Sequence, residues 1–127
     1  MDAMKTHGAF SWSELTTTDP AKAAEFYGSL FGWTVESMDM PMGVYRVAKI
    51  GGQPIGGIMT APPNAGPVSP HWGCYVTVDS VDATVDAAPK LGGKVLMPIM
   101  EVTGVGRMAV LQDPQGAVIN VISYNKA

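Results

Sequence analysis

Trp12-Ser-Glu-Leu-Thr-Thr-Thr-Asp-Pro20, running on through Ala23-Ala-Glu-Phe-Tyr27 to Leu30-Phe-Gly-Trp33, decides the fold, because a weaker copy returns 61 positions later. Thr16, Leu30 and Gly32 recur as Thr77, Leu91 and Gly93, and Leu15 recurs as Val76. In each copy a strand pattern runs into a helix opened by a short polar residue, Asp19 or Ser80, and closed at glycine. Two similar supersecondary units in tandem bury their apolar faces more readily together than apart, and a groove between twins is a natural ligand site.

Working outward from the first copy, residues 9 to 17 alternate. Phe10, Trp12, Glu14 and Thr16 take one face, and Ser11, Ser13, Leu15 and Thr17 the other, which is a strand pattern. Asp19-Pro20 reads as an N-cap with proline at the first helical position, and Ala23, Phe26, Tyr27 and Leu30 follow at helical spacing up to Gly32. Strands are expected near 33–39, 44–50 and 54–60. Residues 61–70 carry Pro62, Pro63, Pro67 and Pro70 and read as an extended linker.

The second series starts with a strand over His71–Val78, then a helix with Val81, Val85, Ala88 and Leu91 on its buried face. Pro89 removes a hydrogen bond to residue 85, so a kink or an early last turn is expected there. Strands at 94–102, 105–111 and 117–123 complete it, with Asp113-Pro-Gln-Gly turning the last pair. The fold class is therefore α+β: one domain of two βαβββ modules, about 8–60 and 71–124, with curved mixed sheets around a cleft.

The bulk numbers narrow the partners. At 127 residues and 46% hydrophobic, the chain can build one full core. A formal charge of −3 provides no basic footprint, so neither nucleic acid nor an anionic membrane is an expected partner. Cys74 is the only cysteine, and no charged-then-apolar leader opens the chain, which together suggest a cytoplasmic location. No phosphate loop, dinucleotide fingerprint or Gly-x-Ser-x-Gly elbow is present.

The doubled βαβββ unit, the Phe26-Tyr27…Leu30-Phe-Gly-Trp33 segment and the closing Asp113-Pro-Gln-Gly-Ala-Val-Ile-Asn120 resemble the vicinal oxygen chelate superfamily of glyoxalases, bleomycin-resistance proteins and dioxygenases. Within it, the chain is most similar to small glyoxalase-like proteins whose first strand reads Trp-x-Glu-Leu. The resemblance implies a cavity in which enzymatic members hold a divalent metal, with His or Glu ligands on the first and last strands of each module. Those positions fall on Trp12, Gly57, Gly73 and Asn120. Three of the four cannot bind a metal, and Asn120 is a weak neutral donor, so no metal cofactor is expected. A divalent metal held by His71, Glu14 and Asn120 is the alternative.

Glu14 shares a strand face with Trp12. An inward carboxylate is either structural, bonded to backbone groups or paired with Arg46 or Arg107, or functional, a general base whose pKa the apolar surroundings raise. His71 follows Pro70 at the linker exit, where a solvated histidine needs no further explanation, and His7 is expected to play no part. Trp12, Trp72, Tyr45 and Tyr75 suit either core packing or stacking on a flat ligand. Met38, Met40 and Met42, with Met59, Met97, Met100 and Met108, could wall an adaptable pocket.

The leading expectation is a binder of a small amphipathic or aromatic molecule, using Trp12, Glu14, His71, Tyr75 and Asn120, without the usual metal and as a homodimer. An enzyme, either a lyase, isomerase or dioxygenase with substituted ligands or an isomerase with Glu14 as base, is the second. A partner domain with no small ligand is the third.

Overall fold

A computed structural model describes residues 1–40, 43–61 and 69–125. The order of elements is β1 (Phe10–Thr17), α1 (Pro20–Phe31), β2 (Thr34–Met40), β3 (Gly43–Ile50), β4 (Gln53–Thr60), β5 (His71–Thr77), α2 (Val81–Lys90), β6 (Lys94–Val102), β7 (Gly106–Gln112) and β8 (Val118–Tyr124). A single 3-10 turn, Ala3–Lys5, precedes them. This is the expected doubled βαβββ order in the α+β class. Most of the expected linker, residues 62–68, lies outside the described residues, as do Pro41 and Met42.

By contacts the chain divides into two compact units, Trp12–Gly73 and Met1–Ser11 with Cys74–Ala127. The N-terminal segment thus groups with the second module. Gly8 N–H donates to Thr77 O, Thr77 N–H to Ala9 O, and the Thr77 hydroxyl to Ala3 O at 2.7 Å. His7, expected to be idle, accepts the Asp79 N–H at 2.9 Å, and Ser11 Oγ lies 2.8 Å from Tyr124 Oη. The bonds to Gly8, Ala9, Thr77 and Asp79 satisfy backbone groups around the end of β5.

The Trp12–Gly73 unit has strand order β2-β3-β4-β1, antiparallel except for the parallel β4-β1 pair. Leu15 lies beside Ile58, and both are buried, as are Ala48 on the same face and Val47 on the other. α1 opens as the sequence predicts: Asp19 accepts the Lys22 N–H at 3.1 Å, and Gly32 closes the helix at φ 76°. Its residues at helical spacing divide between the two sides. Phe26 and Leu30 are exposed, while Pro20, Ala23, Ala24, Tyr27 and Gly28 are the half-buried positions. Small residues let the helix sit close to the strands, which swings the two large ones outward.

The other unit repeats the plan as β5-β8-β7-β6, with β5-β8 parallel. Its core is Val78, Val81, Ala109, Leu111 and Val121, joined by Val85 and Ala88 from α2. Full burial of a valine such as Val81 contributes roughly 1.5–3 kcal/mol. Ser80 caps α2 through the Ala83 N–H at 3.1 Å.

The helix ends early, as Pro89 predicts: α2 stops at Lys90, and the Leu91 N–H reaches both Ala87 O and Ala88 O. Leu91 consequently leaves the helix face and is 79% exposed, against the expectation that it is buried. Gly92, not Gly93, takes the left-handed conformation at φ 93°, whereas a Cβ on Gly93 would sit 2.9 Å from Gln112 O. Among the described residues no helix is long and apolar enough to cross a membrane.

Candidate functional site

Strand register assigns the faces of the Trp12–Gly73 unit. Glu14 stands beside Gly57 and Thr16 beside Met59; Gly57 in turn faces Val47, and Tyr45 faces Met38. Side chains alternate along a strand and register partners share a face, so Trp12, Glu14, Tyr45, Val47, Met38 and Met59 all lie on one side. Leu15, Ile58 and Arg46 lie on the other.

On the first side three residues form a hydrogen-bonded chain. The Trp12 indole N–H donates to Tyr45 Oη at 2.9 Å, and the Tyr45 hydroxyl donates to Glu14 Oε2 at 2.7 Å. All three side chains are half-buried. A carboxylate accepting a phenolic proton is a charge-assisted bond, stronger than a neutral one, and it fixes the tyrosine ring in place.

Gly57 makes room for that ring: an added Cβ there would run into Tyr45 Oη, Cζ and Cε1. In the sequence alone Trp12 and Glu14 share a strand face, but nothing separates Tyr45 from the other strand aromatics. The available signal was a glycine inside a strand, which often marks a close approach by another group.

The remaining candidates have contacts of their own. Of the arginines named as partners for Glu14, Arg46 lies on the opposite face of its strand, and Arg107 bonds Glu101 at 2.9 Å and Asp82 at 3.0 Å. The hydrogen bond to Glu101 and the charge of Asp82 hold the Arg107 pKa above its ordinary value. His71 is exposed, with Nδ1 2.8 Å from Ser69 O, as expected of a solvated histidine at a linker exit.

Tyr75 and Asn120 belong to the other unit, where they are register partners. Tyr75 is buried with its hydroxyl 3.8 Å from Met108 Sδ, and the Asn120 amide donates to Cys74 O at 3.3 Å. Cys74 is exposed and lies one position off the Tyr75 face.

The metal positions implied by the resemblance can be judged on their donors. Trp12 Nε1 is a donor bonded to Tyr45, Gly57 carries the Tyr45 ring above it, Gly73 has no side chain, and the Asn120 amide nitrogen is bonded to Cys74. This set does not fit a divalent ion, which requires lone pairs from several His, Cys or carboxylate groups. Among the described residues no group of three or more such side chains is placed to hold a metal.

The other face of the same unit carries an aromatic cluster. Tyr27 stacks on Phe31 and Trp33 at centroid distances of 6.0 and 5.8 Å, and Trp72 stands nearly perpendicular to Tyr27 and Trp33. The Trp72 N–H donates to Tyr27 Oη at 3.2 Å. Trp12 and Trp72, alike as strand tryptophans in sequence, therefore serve different faces.

Comparison with known proteins agrees with this architecture. Over 122 residues the chain is 38% identical to CFP32 of Mycobacterium tuberculosis, provisionally named a glyoxylase, covering 94% of this chain and 47% of that protein. It is 34% identical over 127 residues to the anthracycline biosynthesis protein DnrV of Streptomyces peucetius, covering 90% of this chain and 46% of DnrV. The chain thus spans about half the length of the curated relatives it matches.

Among solved structures, methylmalonyl-CoA epimerase from Mycobacterium tuberculosis matches with a TM-score of 0.65 at 15% identity, covering 94% of this chain and 89% of that one. A hypothetical protein, BH1468 from Bacillus halodurans, matches with a TM-score of 0.72 at 11% identity, covering 96% and 98%. The family model for the Glyoxalase/Bleomycin resistance protein/Dioxygenase superfamily matches residues 9–121. With two βαβββ units in the observed order and that match along nearly its whole length, the chain belongs to the glyoxalase, bleomycin-resistance and dioxygenase superfamily.

Proposed function

We propose that the chain binds a small amphipathic or aromatic molecule on the Trp12–Tyr45–Glu14 face, without the superfamily's usual metal site. The observation that carries this reading is the hydrogen-bonded chain itself, built over Gly57 at the position where the resemblance implies a metal ligand. Trp12 offers a flat ring for stacking, the Glu14 carboxylate offers an acceptor for a ligand hydroxyl or amine, and Met38 and Met59 on the same face adapt to variable shapes. A relative named for anthracycline biosynthesis suits a polycyclic aromatic ligand.

Thermal-shift screening against aromatic metabolites tests the proposal, since a ligand far above its dissociation constant raises the melting temperature measurably. For a hit, Trp12→Ala weakens binding by about 1–3 kcal/mol and leaves the protein folded. If Trp12→Ala instead loses roughly 3–5 kcal/mol of stability and no ligand is found, the tryptophan is packing and the assignment fails.

A second reading draws on the 2.7 Å contact between a phenol and a carboxylate, a pair suited to handling protons. Here Glu14 acts as the base of an isomerase or lyase, removing a proton from a carbon acid while Tyr45 orients the carboxylate. Glu14→Gln then abolishes turnover and leaves ligand affinity within about threefold, whereas a pure binder shows no turnover in either form.

A further inference from the structure

We infer a second ligand site on the α1 side of the same unit, shaped for a flat, uncharged aromatic molecule bearing a hydrogen-bond-accepting oxygen. It is independent of the Trp12–Tyr45–Glu14 face. A cavity of about 430 Å³ lies among Ser13, Tyr27, Phe31, Trp33, Gly56 and Trp72, with Ile55 at its side. That volume falls within the ~300–1,000 Å³ of small-molecule sites.

Its shape comes from two ring orientations. Tyr27, Phe31 and Trp33 are stacked or tilted against one another, whereas Trp72 makes angles of 78° and 83° with Tyr27 and Trp33. The walls therefore meet in a corner, where a planar ring can stack on one wall and present its edge to the other. Ring centroids 5.2–6.2 Å apart leave no gap between the rings for a cation, so the site is not an aromatic cage. Ser13 and Gly56 line it with little side-chain bulk.

Polarity narrows the class. Among the described residues that line it, none is an acid, lysine, arginine or histidine, so a charged ligand would be desolvated without a partner. Tyr27 Oη accepts the Trp72 N–H, and that bond does not use the hydroxyl's own proton, which is thus a donor for a ligand carbonyl. Phe31 and Trp72 are 57% and 41% exposed, an unusual outlay of aromatic surface for side chains that only pack.

Isothermal titration of the intact chain with 2-acetylnaphthalene, and with 2-ethylnaphthalene as its counterpart lacking the oxygen, tests the site. The expected result is saturable binding of one molecule per chain. Phe31→Ala and Trp72→Ala should each weaken it roughly five- to tenfold, and Ile55→Trp, which fills the cavity while removing little, should abolish it. Tyr27→Phe should weaken the ketone roughly five- to tenfold and the hydrocarbon by less than about twofold.

Since Phe31, Trp72 and Ile55 are exposed, their variants can be confirmed as folded by circular dichroism. Three results overturn the inference: no binding to the wild type at ligand saturation; binding that survives Ile55→Trp but falls with Trp12→Phe, which puts the ligand on the opposite face; or a wild-type dimer that Phe31→Ala converts to monomer in light scattering, which makes this surface the seat of a second copy.

Discussion

Replacing Gly57 by alanine adds one methyl group and removes nothing, yet it should be among the most damaging small changes available to the Trp12–Gly73 unit. The new Cβ would occupy the space of Tyr45 Oη and Cζ, while Gly57 belongs to the interior of β4 and pairs with both Glu14 and Val47. The backbone cannot retreat without breaking two ladders, so the tyrosine ring must swing away. That breaks the bond from Trp12 at 2.9 Å and the bond to Glu14 at 2.7 Å.

A neutral bond contributes about 1 kcal/mol and one to a charged group about 1.5–3 kcal/mol. Water reaches all three half-buried groups and recovers part of this, while crowding adds about 1–3 kcal/mol. The expected net loss is about 2–4 kcal/mol. With a urea slope of about 2 kcal/mol/M, the unfolding midpoint falls by about 1–2 M.

The decisive measurement is a double-mutant cycle by urea denaturation. In a Tyr45→Ala background the obstacle is gone, and Gly57→Ala should cost less than about 1 kcal/mol. If the two costs instead add to within about 0.5 kcal/mol, alanine 57 is not meeting Tyr45, and the account of why glycine stands there is wrong.

Elemental analysis of protein purified from metal-supplemented medium should find well under one equivalent of divalent metal per chain, because the donor set at Trp12, Gly57, Gly73 and Asn120 does not fit an ion; one tightly held metal per chain would revive Glu14 and His71 as ligands. Light scattering at micromolar concentration should report a homodimer, since exposed Leu91, Leu96 and Val118 offer apolar surface that pairing can bury, and a monomeric mass would refute this. Asp19→Ala should cost about 1 kcal/mol by removing the acceptor for the Lys22 N–H, and Asp19→Asn should restore most of it; an equal loss in both variants would mean the cap contributes through charge alone.

Local chemistry made the order of elements legible in the sequence. Alternation over Phe10–Thr17, the Asp19-Pro20 and Ser80 caps, the left-handed stop at Gly32 and the early stop enforced by Pro89 each depend on residues within a few positions of one another. The shared face of Trp12 and Glu14 was legible for the same reason, since strand parity is a local property.

What joined them was not. Tyr45 comes from a strand 31 residues further on than Glu14, and only the β1-β4-β3 register puts its hydroxyl between the indole and the carboxylate, over a glycine. The same holds for Trp72, which reaches Tyr27 across 45 residues to complete a cavity that no periodicity announces. It holds in the opposite sense for Phe26 and Leu30, which sit at helical spacing yet face outward from α1, and for Leu91, which falls beyond the early end of α2. Composition and periodicity determine which faces exist; how closely two elements approach, and hence which side chains meet, is decided by packing between segments far apart in the chain.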